Sequence, residues 1–370
     1  MNQTLLMVLF ISFFVFLLWL GVFVSVLFLK HTGVITSTLV SRVINTTAVA
    51  IPLLMGLSMF LGRTAWHPLN AVLYTVTSTW IVIVAGLFFA SVLGWLILGV
   101  LNLSGAGFPR MYLGVIVLAV SIIYPLYGVI NASILRTKTV EVNLNQVEVL
   151  SGMRIALVSD LHVGLVRGKN FVQRVVDRIM KENPDMIIIA GDLIDGPHFP
   201  YQEFLAPLSG LSAPQGVYFT PGNHETYNDE LEEVYKAIPE NVTILSDEIQ
   251  TIPGTDITIA GFEYDTESRE HFAERAVRVA AGSSPAIGIL HDPKHRDSLS
   301  ELGINLVVSG HTHGGQFFPG TAIVRMIYGS QTNGLVTHDS GAYYTTTGAG
   351  TAVSPARVGT QAEVVILEVQ

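Results

Sequence analysis

Cysteine is absent from the 370 residues, which excludes disulfides, thiolate metal sites and cysteine nucleophiles. Carboxylates are absent only locally. No Asp or Glu occurs between Met1 and Leu135, and the basic residues there are confined to Lys30, Arg42, Arg63 and Arg110. A stretch so poor in charge cannot form an ordinary soluble surface. All 29 carboxylates fall beyond it with the remaining 16 of the 20 Lys and Arg residues, which gives the C-terminal part a formal charge of -13. That part lacks the basic stripe needed to displace counterions, so no nucleic-acid partner is expected. Signatures of other chemistries are missing too. Gly348-Ala349-Gly350 has no lysine of a phosphate-binding loop, and neither Ser159 nor Thr220 sits in a nucleophile elbow.

Four apolar runs are present, at Leu5–Leu29, Val43–Leu61, Ala71–Leu101 and Met111–Ile130. Each is near or above the roughly 20 residues that cross a hydrocarbon core. The first is uncharged, too long for a removable signal peptide and without a small-residue cleavage signal, so it reads as a retained span. Asn45, Thr46, Thr47 and Pro52 in the second suit a helix packed against neighbours. Gly86, Gly94, Gly99, Gly114 and Gly128 would let helices approach closely, and Trp66, Trp80 and Trp95 suit interfacial anchoring or packing. The expectation is an all-α four-helix transmembrane bundle over residues 1–135. Four crossings return the chain to its starting side. Lys30 directly after the first span, following a cation-free N-terminal tail, favours an external C-terminal part.

After Ile130 the period changes. Val140, Val142 and Leu144 alternate with polar residues, as do Val147 and Val149, which predicts a short hairpin in a linker over 136–150. From 151 to 370 a repeated unit appears, an apolar strand followed at once by a reactive residue. Met153–Ser159 leads into Asp160-Leu161-His162, Met186–Ala190 into Gly191-Asp192, and Val217–Thr220 into Gly222-Asn223-His224. Ala286–Leu290 leads into His291, and Leu306–Ser309 into Gly310-His311-Thr312-His313. Between the first two lies a helix whose Phe171, Val172, Val175, Val176 and Ile179 share one face. Strands alternating with helices predict a layered α/β fold, in which ligand groups collect beyond the carboxyl ends of the strands.

Each motif alone suits a turn or a cap as well as a ligand. Together they supply carboxylates, imidazoles and an amide oxygen, the donors of hard or borderline divalent cations. Two such cations about 3.5 to 4 Å apart can share one carboxylate and clamp a phosphoryl group.

These blocks resemble the calcineurin-like metallophosphoesterase superfamily, in its membrane-associated bacterial phosphodiesterase branch. The resemblance runs from about residue 149 to 370. It rests on Gly191-Asp192-Leu193-Ile194-Asp195, Gly222-Asn223-His224-Glu225 and Gly310-His311-Thr312-His313-Gly314-Gly315-Gln316 with the other two blocks. It implies a two-sheet α/β sandwich in which Asp160, His162, Asp192 and His313 hold one divalent metal. Asp192 would bridge to a second held by Asn223, His291 and His311, the ions being Mn, Fe or Zn. His224 would contact the phosphate and assist the leaving group. Asp195, Glu225, Asp292, His198 and His295 lie beside the blocks without an implied ligand role; Asp195 and Glu225 read as groups that fix ligands or loops.

The function so implied is two-metal hydrolysis of a phosphodiester or pyrophosphate, by a multi-pass protein of the bacterial cell membrane. The bilayer beside it makes a lipid-linked substrate attractive. The alternatives are an enzyme like the UDP-diacylglucosamine pyrophosphatase that makes lipid A precursors, and a catalytically silent sensor or transport component. The complete donor set and His224 argue against the silent alternative.

Overall fold

Four long helices, α1 (Gln3–His31), α2 (Thr38–Gly62), α3 (Pro68–Leu103) and α4 (Arg110–Ser133), form where the sequence is most apolar. All four are long and apolar enough to cross a membrane. The computed structural model describes residues 3–62, 68–144, 150–196, 199–226, 231–264, 269–279, 286–338 and 341–370; Arg63, Trp66, Val147, Val149 and His198 lie outside these. Without water, a backbone must satisfy itself, and a helix does so within the segment. Polar side chains follow the same economy. Ser25, Thr75 and Ser121 each donate a hydroxyl to the carbonyl four residues earlier, on Gly21, Ala71 and Val117, at 2.7 Å.

One compact unit comprises Met1–Leu61, His67–Ile130 and Val353–Val358. Within it Phe28 and Leu29 of α1 pack with Leu98 of α3, and Val22 and Val26 pack with Val84. Gly94 makes the first contact possible, since a Cβ there would strike the Phe28 ring. Gly86 similarly admits Tyr124 of α4. Two other glycines depart from the sequence expectation. A Cβ on Gly99 would meet no described side chain or other segment within 4 Å, and Gly128 faces Ala356 and Val358 rather than a helix, with its carbonyl accepting the Arg357 N–H at 2.9 Å.

The second unit comprises Gly62–Trp66, Asn131–Ala352 and Gly359–Gln370. Its strands are β1 (Leu135–Val142), β2 (Arg154–Val158), β3 (Met186–Ala190), β4 (Val217–Thr220), β5 (Thr243–Ile244), β6 (Glu248–Thr251), β7 (Thr258–Phe262), β8 (Ile287–Leu290), β9 (Leu306–Ser309), β10 (Gly334–His338), β11 (Gly341–Thr345) and β12 (Ala362–Val369). They form two six-stranded sheets, ordered β1-β12-β2-β3-β4-β5 and β10-β11-β9-β8-β7-β6. The expected two-sheet α/β architecture is present.

In the first sheet β2, β3, β4 and β5 run parallel, and in the second β7, β8, β9 and β11 do. Strands buried on both faces carry continuous apolar runs, as in Met-Ile-Ile-Ile-Ala of β3. Leu157, Ile188 and Tyr218 of one sheet meet Ile259, Ile289 and Val308 of the other in a shared core. The alternate residues Ala156, Val158, Ile187 and Ile189 face outward against helix α5 (Lys169–Met180), which buries Phe171, Val172, Val175, Val176 and Ile179. Parallel strands end on the same edge, so the reactive loops leave each sheet together.

The described part of the expected linker hairpin is a strand of the first sheet. The alternation at Val140 and Val142 belongs to β1, which pairs in parallel with β12 at the sheet edge, Leu135 opposite Ala362 and Val142 opposite Val369. A parallel partner needs a long crossover, and no local pattern can announce it.

Candidate metal centre

Asp160 and His162 leave β2, Asp192 leaves β3, and Asn223 and His224 open a short helix after β4; His291 follows β8, and His311 and His313 follow β9. The structure brings all eight together. Donor atoms of Asp160, His162 and His313 lie within 4.8 Å of one another, as do those of Asp192, His291 and His311, and those of His162, Asp192 and His224. Asn223 joins the second group, its Oδ1 standing 2.8 Å from His311 Nδ1.

The backbone pays for this convergence. Asp160, His162, Asp192, His311 and His313 have φ of 54°, 48°, 51°, 70° and 50°, five of the nine non-glycine residues with positive φ among those described. Such conformations cost about 1–3 kcal/mol each and persist where the surroundings over-determine them. Space is equally tight: a Cβ on Gly222 would strike the Asp192 carboxylate, and one on Gly191 the His291 ring.

Hydrogen bonds fix the carboxylates. Asp160 accepts the His311 N–H at 3.1 Å and the neighbouring Ser159 hydroxyl. Asp192 Oδ1 accepts the His224 N–H at 2.9 Å. Glu225, fully buried, accepts three backbone N–H groups, from Gly222 at 2.7 Å and from Asp192 and Ile194 at 3.0 Å. It ties the loop after β3 to the loop after β4. Burial and the Asp192 charge push its pKa up, against the pull of the Ile194 and Gly222 N–H groups.

The electrostatics call for cations. With Nδ1 of His291 donating to the Ala190 carbonyl at 2.7 Å, its Nε2 lone pair faces Asp192 Oδ2 at 3.1 Å and has no hydrogen-bond partner. His162 Nε2 and His313 Nε2 face each other at 2.9 Å, with Asp160 Oδ1 3.4 Å from the latter. Lone pairs crowded in this way need protons or metal ions between them. Burial disfavours a charged His291, yet the charge and hydrogen bonding of Asp192, the charge of Asp160 and the Ala190 carbonyl together outweigh it and take its pKa up to about 10. Burial would likewise raise Asp192, but His291, His224 and His162 hold it well below the usual carboxylate range. His311 is pushed down by burial and by His291 beside it. A buried set of carboxylate, imidazole and amide donors suits hard or borderline divalent ions.

His224 differs from the rest. Its Nδ1 lies 3.3 Å from Asp195 Oδ1, which also sits 3.5 Å from His162 Nδ1. Burial opposes its charge, but the Asp195 hydrogen bond and the Asp192 charge raise it to about 9. Asp195 itself, despite burial, is lowered by its hydrogen bonds to His162 and His224. Asp292 stands 3.8 Å from His311 Nε2 while capping the Lys294 N–H. His295 is not brought in; it stacks on Phe272.

Two aromatic residues escaped the sequence reading. The Tyr264 ring lies 5.9 Å from that of His311 and the Tyr328 ring 6.3 Å from it. Tyr264 shortly follows β7, and the rule that found the other loops applies to it. Tyr328 ends a helix remote from any strand end, and nothing in the sequence marks it.

Comparison with known proteins agrees with this geometry. Residues 153–315 match the family model described as calcineurin-like phosphoesterase. A metallophosphoesterase of Helicobacter pylori is 34% identical over 222 residues, covering 58% of this chain and 59% of that protein. One of Campylobacter jejuni is 30% identical over 273 residues, covering 70% and 69%. A zebrafish (Danio rerio) transmembrane protein with a metallophosphoesterase domain is 28% identical over 268 residues, covering 68% and 61%. The chain thus spans about three fifths of the length of the Helicobacter relative. With strand-end loops, a convergent donor set and these relatives in agreement, the chain belongs to the calcineurin-like metallophosphoesterase family.

Proposed function

We propose that this chain is a membrane-anchored, two-metal phosphoester hydrolase acting on a phosphodiester or pyrophosphate, with a lipid-linked substrate favoured. The observation that carries this reading is the convergence of seven donors, Asp160 and Asp192 among them, with opposed lone pairs that cations would relieve. In it Asp160, His162, Asp192 and His313 hold one ion, and Asp192, Asn223, His291 and His311 hold the other, drawn from Mn, Fe or Zn. Bound there, the ions supply Lewis acidity toward a phosphoryl oxygen and toward water.

The protein's own groups do the rest. Asp160 and Asp192 offset positive charge and are fixed by the N–H groups of His311 and His224. Asp195 holds His224 Nδ1–H, so Nε2–H is the proton His224 presents to the departing oxygen. Its elevated pKa keeps that proton in place near neutral pH. The Asp195 contact favours this role for His224 over that of a metal ligand, although its ring also lies beside His162 and Asp192. Lys30 directly after the first span supports an external position for the phosphoesterase unit.

The test uses the purified full chain in detergent. Added manganese should load the protein by elemental analysis and release nitrophenol from bis(4-nitrophenyl) phosphate. A chain that binds two ions and leaves every soluble and lipid diester intact would be a binding module instead.

A further inference from the structure

Helix Gly320–Tyr328 is amphipathic in the reverse sense for a protein surface, and none of its residues is buried. At about 3.6 residues per turn, Ile323, Met326 and Ile327 share one face. They are 51%, 86% and 69% exposed, and Phe318 just before the helix is 43% exposed. Among the described residues of the phosphoesterase unit, only Ile134 and Val277 are other large apolar side chains so exposed. The polar face borders a cavity instead. Thr321 and Arg325, four residues apart, line a cavity of about 440 Å³ together with Lys138, Thr332, Thr360 and Gln361.

The chain itself says what lies near this face. Helix α4 ends at Ser133, and β1 begins at Leu135. Lys138 lies in β1 five residues after Ser133, within about 17 Å along a strand. Asn131, in the last turn of α4, donates to the Thr360 carbonyl at 2.8 Å, and Arg167 donates to the Ala132 carbonyl at 3.0 Å. Thr360 lines the cavity, and a Cβ built on neighbouring Gly359 would lie 3.9 Å from Thr321. The start of the helix is thus linked through Gly359 and Thr360 to Asn131.

Charge points the same way. Arg325 and Lys138 are exposed, and neither has an ion-pair partner among the described residues. Glu363, which also lines the cavity, is turned to the Thr346 hydroxyl and the Thr347 N–H.

We propose that helix Gly320–Tyr328, with Phe318, is an interfacial element that seats its apolar face in the bilayer and presents Arg325 and Lys138 to lipid phosphates at the cavity mouth. An amphipathic helix lies in the interface plane with its apolar face at the acyl boundary, and long cationic side chains reach the headgroup level from there. Anchoring by the spans keeps the effective concentration of the surface high, so a short helix suffices.

Because the chain has no cysteine, a single label reports on one position. The full chain carrying Met326→Cys with an environment-sensitive fluorophore would be placed in nanodiscs of phosphatidylcholine, alone or mixed with phosphatidylglycerol. The label should be quenched by nitroxides on the lipid tails and shielded from iodide. The same label at Glu248→Cys, on exposed strand β6, should show the reverse. Ile323→Cys repeats the measurement on the same face should the first variant misfold. Replacing Arg325 and Lys138 by Gln should lower the docked-to-free ratio by about fivefold per charge in the anionic discs. Iodide access at positions 323 and 326 equal to that at 248 would overturn the proposal. Unchanged docking of the double Gln variant in anionic discs would remove its headgroup part.

Discussion

In the apolar helices Ser25, Thr75 and Ser121 settle their hydroxyls one turn away, on Gly21, Ala71 and Val117. In the phosphoesterase unit the polar groups reach far: Glu225 joins N–H groups 33 and 31 residues distant, and Asp160 receives that of His311 across 151. The difference follows from what each solvent leaves available. A membrane offers a hydroxyl nothing but its own backbone, whereas two sheets packed face to face bring remote loops into one place. Substitutions in the first unit should therefore stay local, and those in the second should propagate.

The largest effect is expected at Asp192, the carboxylate assigned to both ions. Asp192→Asn keeps the size and removes the charge. Turnover should fall more than about 10³-fold, beyond the loss of a single transition-state donor, and elemental analysis should show at least one ion missing. Full loading with normal turnover would break the assignment.

Next comes His224→Ala, which should keep both ions. Positioned acids contribute about 10² to 10⁴ in rate, and the loss should be greatest for alkyl leaving groups, which need the proton that nitrophenolate does not. Loss of metal in this variant would make His224 a ligand.

Glu225→Gln leaves the ligands intact but weakens acceptance of the three N–H groups. Metal affinity, followed by titration, should drop about 10- to 100-fold, as for other supports of a ligand set. The smallest effect is expected for Ser25→Ala, whose lost bond is worth under about 1 kcal/mol in a membrane helix. Thermal unfolding in nanodiscs should barely shift and turnover should not change. If this variant proves as damaging as Glu225→Gln, the contrast between local and distant satisfaction does not hold.

What could be read from the sequence follows the same division. The spans were legible because a membrane imposes composition over each whole segment. The strand-end loops were legible because an apolar run stopped by Asp160 or His311 is a local event, as is the face of Phe171, Val172, Val175, Val176 and Ile179. The pairing of β1 with β12 left no local trace, nor did the seat of Gly128 against Ala356 and Val358. Glu225 stood in a conspicuous motif, yet its task depends on N–H groups of another loop. The Gly320–Tyr328 helix has an ordinary amphipathic pattern, which reads as a packed face; only the fold shows that its polar side lines a cavity while its apolar side is left exposed.

The position of β12 between β1 and β2 also sets an order of events during synthesis. β1 emerges from the ribosome directly behind α4, but its partner follows only after every metal-site loop has been made. Until then β1 is an open edge, the kind of unpaired strand that recruits wrong partners. Its Arg136, Lys138 and Glu141 put charge on that waiting strand, a means of keeping it single until the right strand arrives.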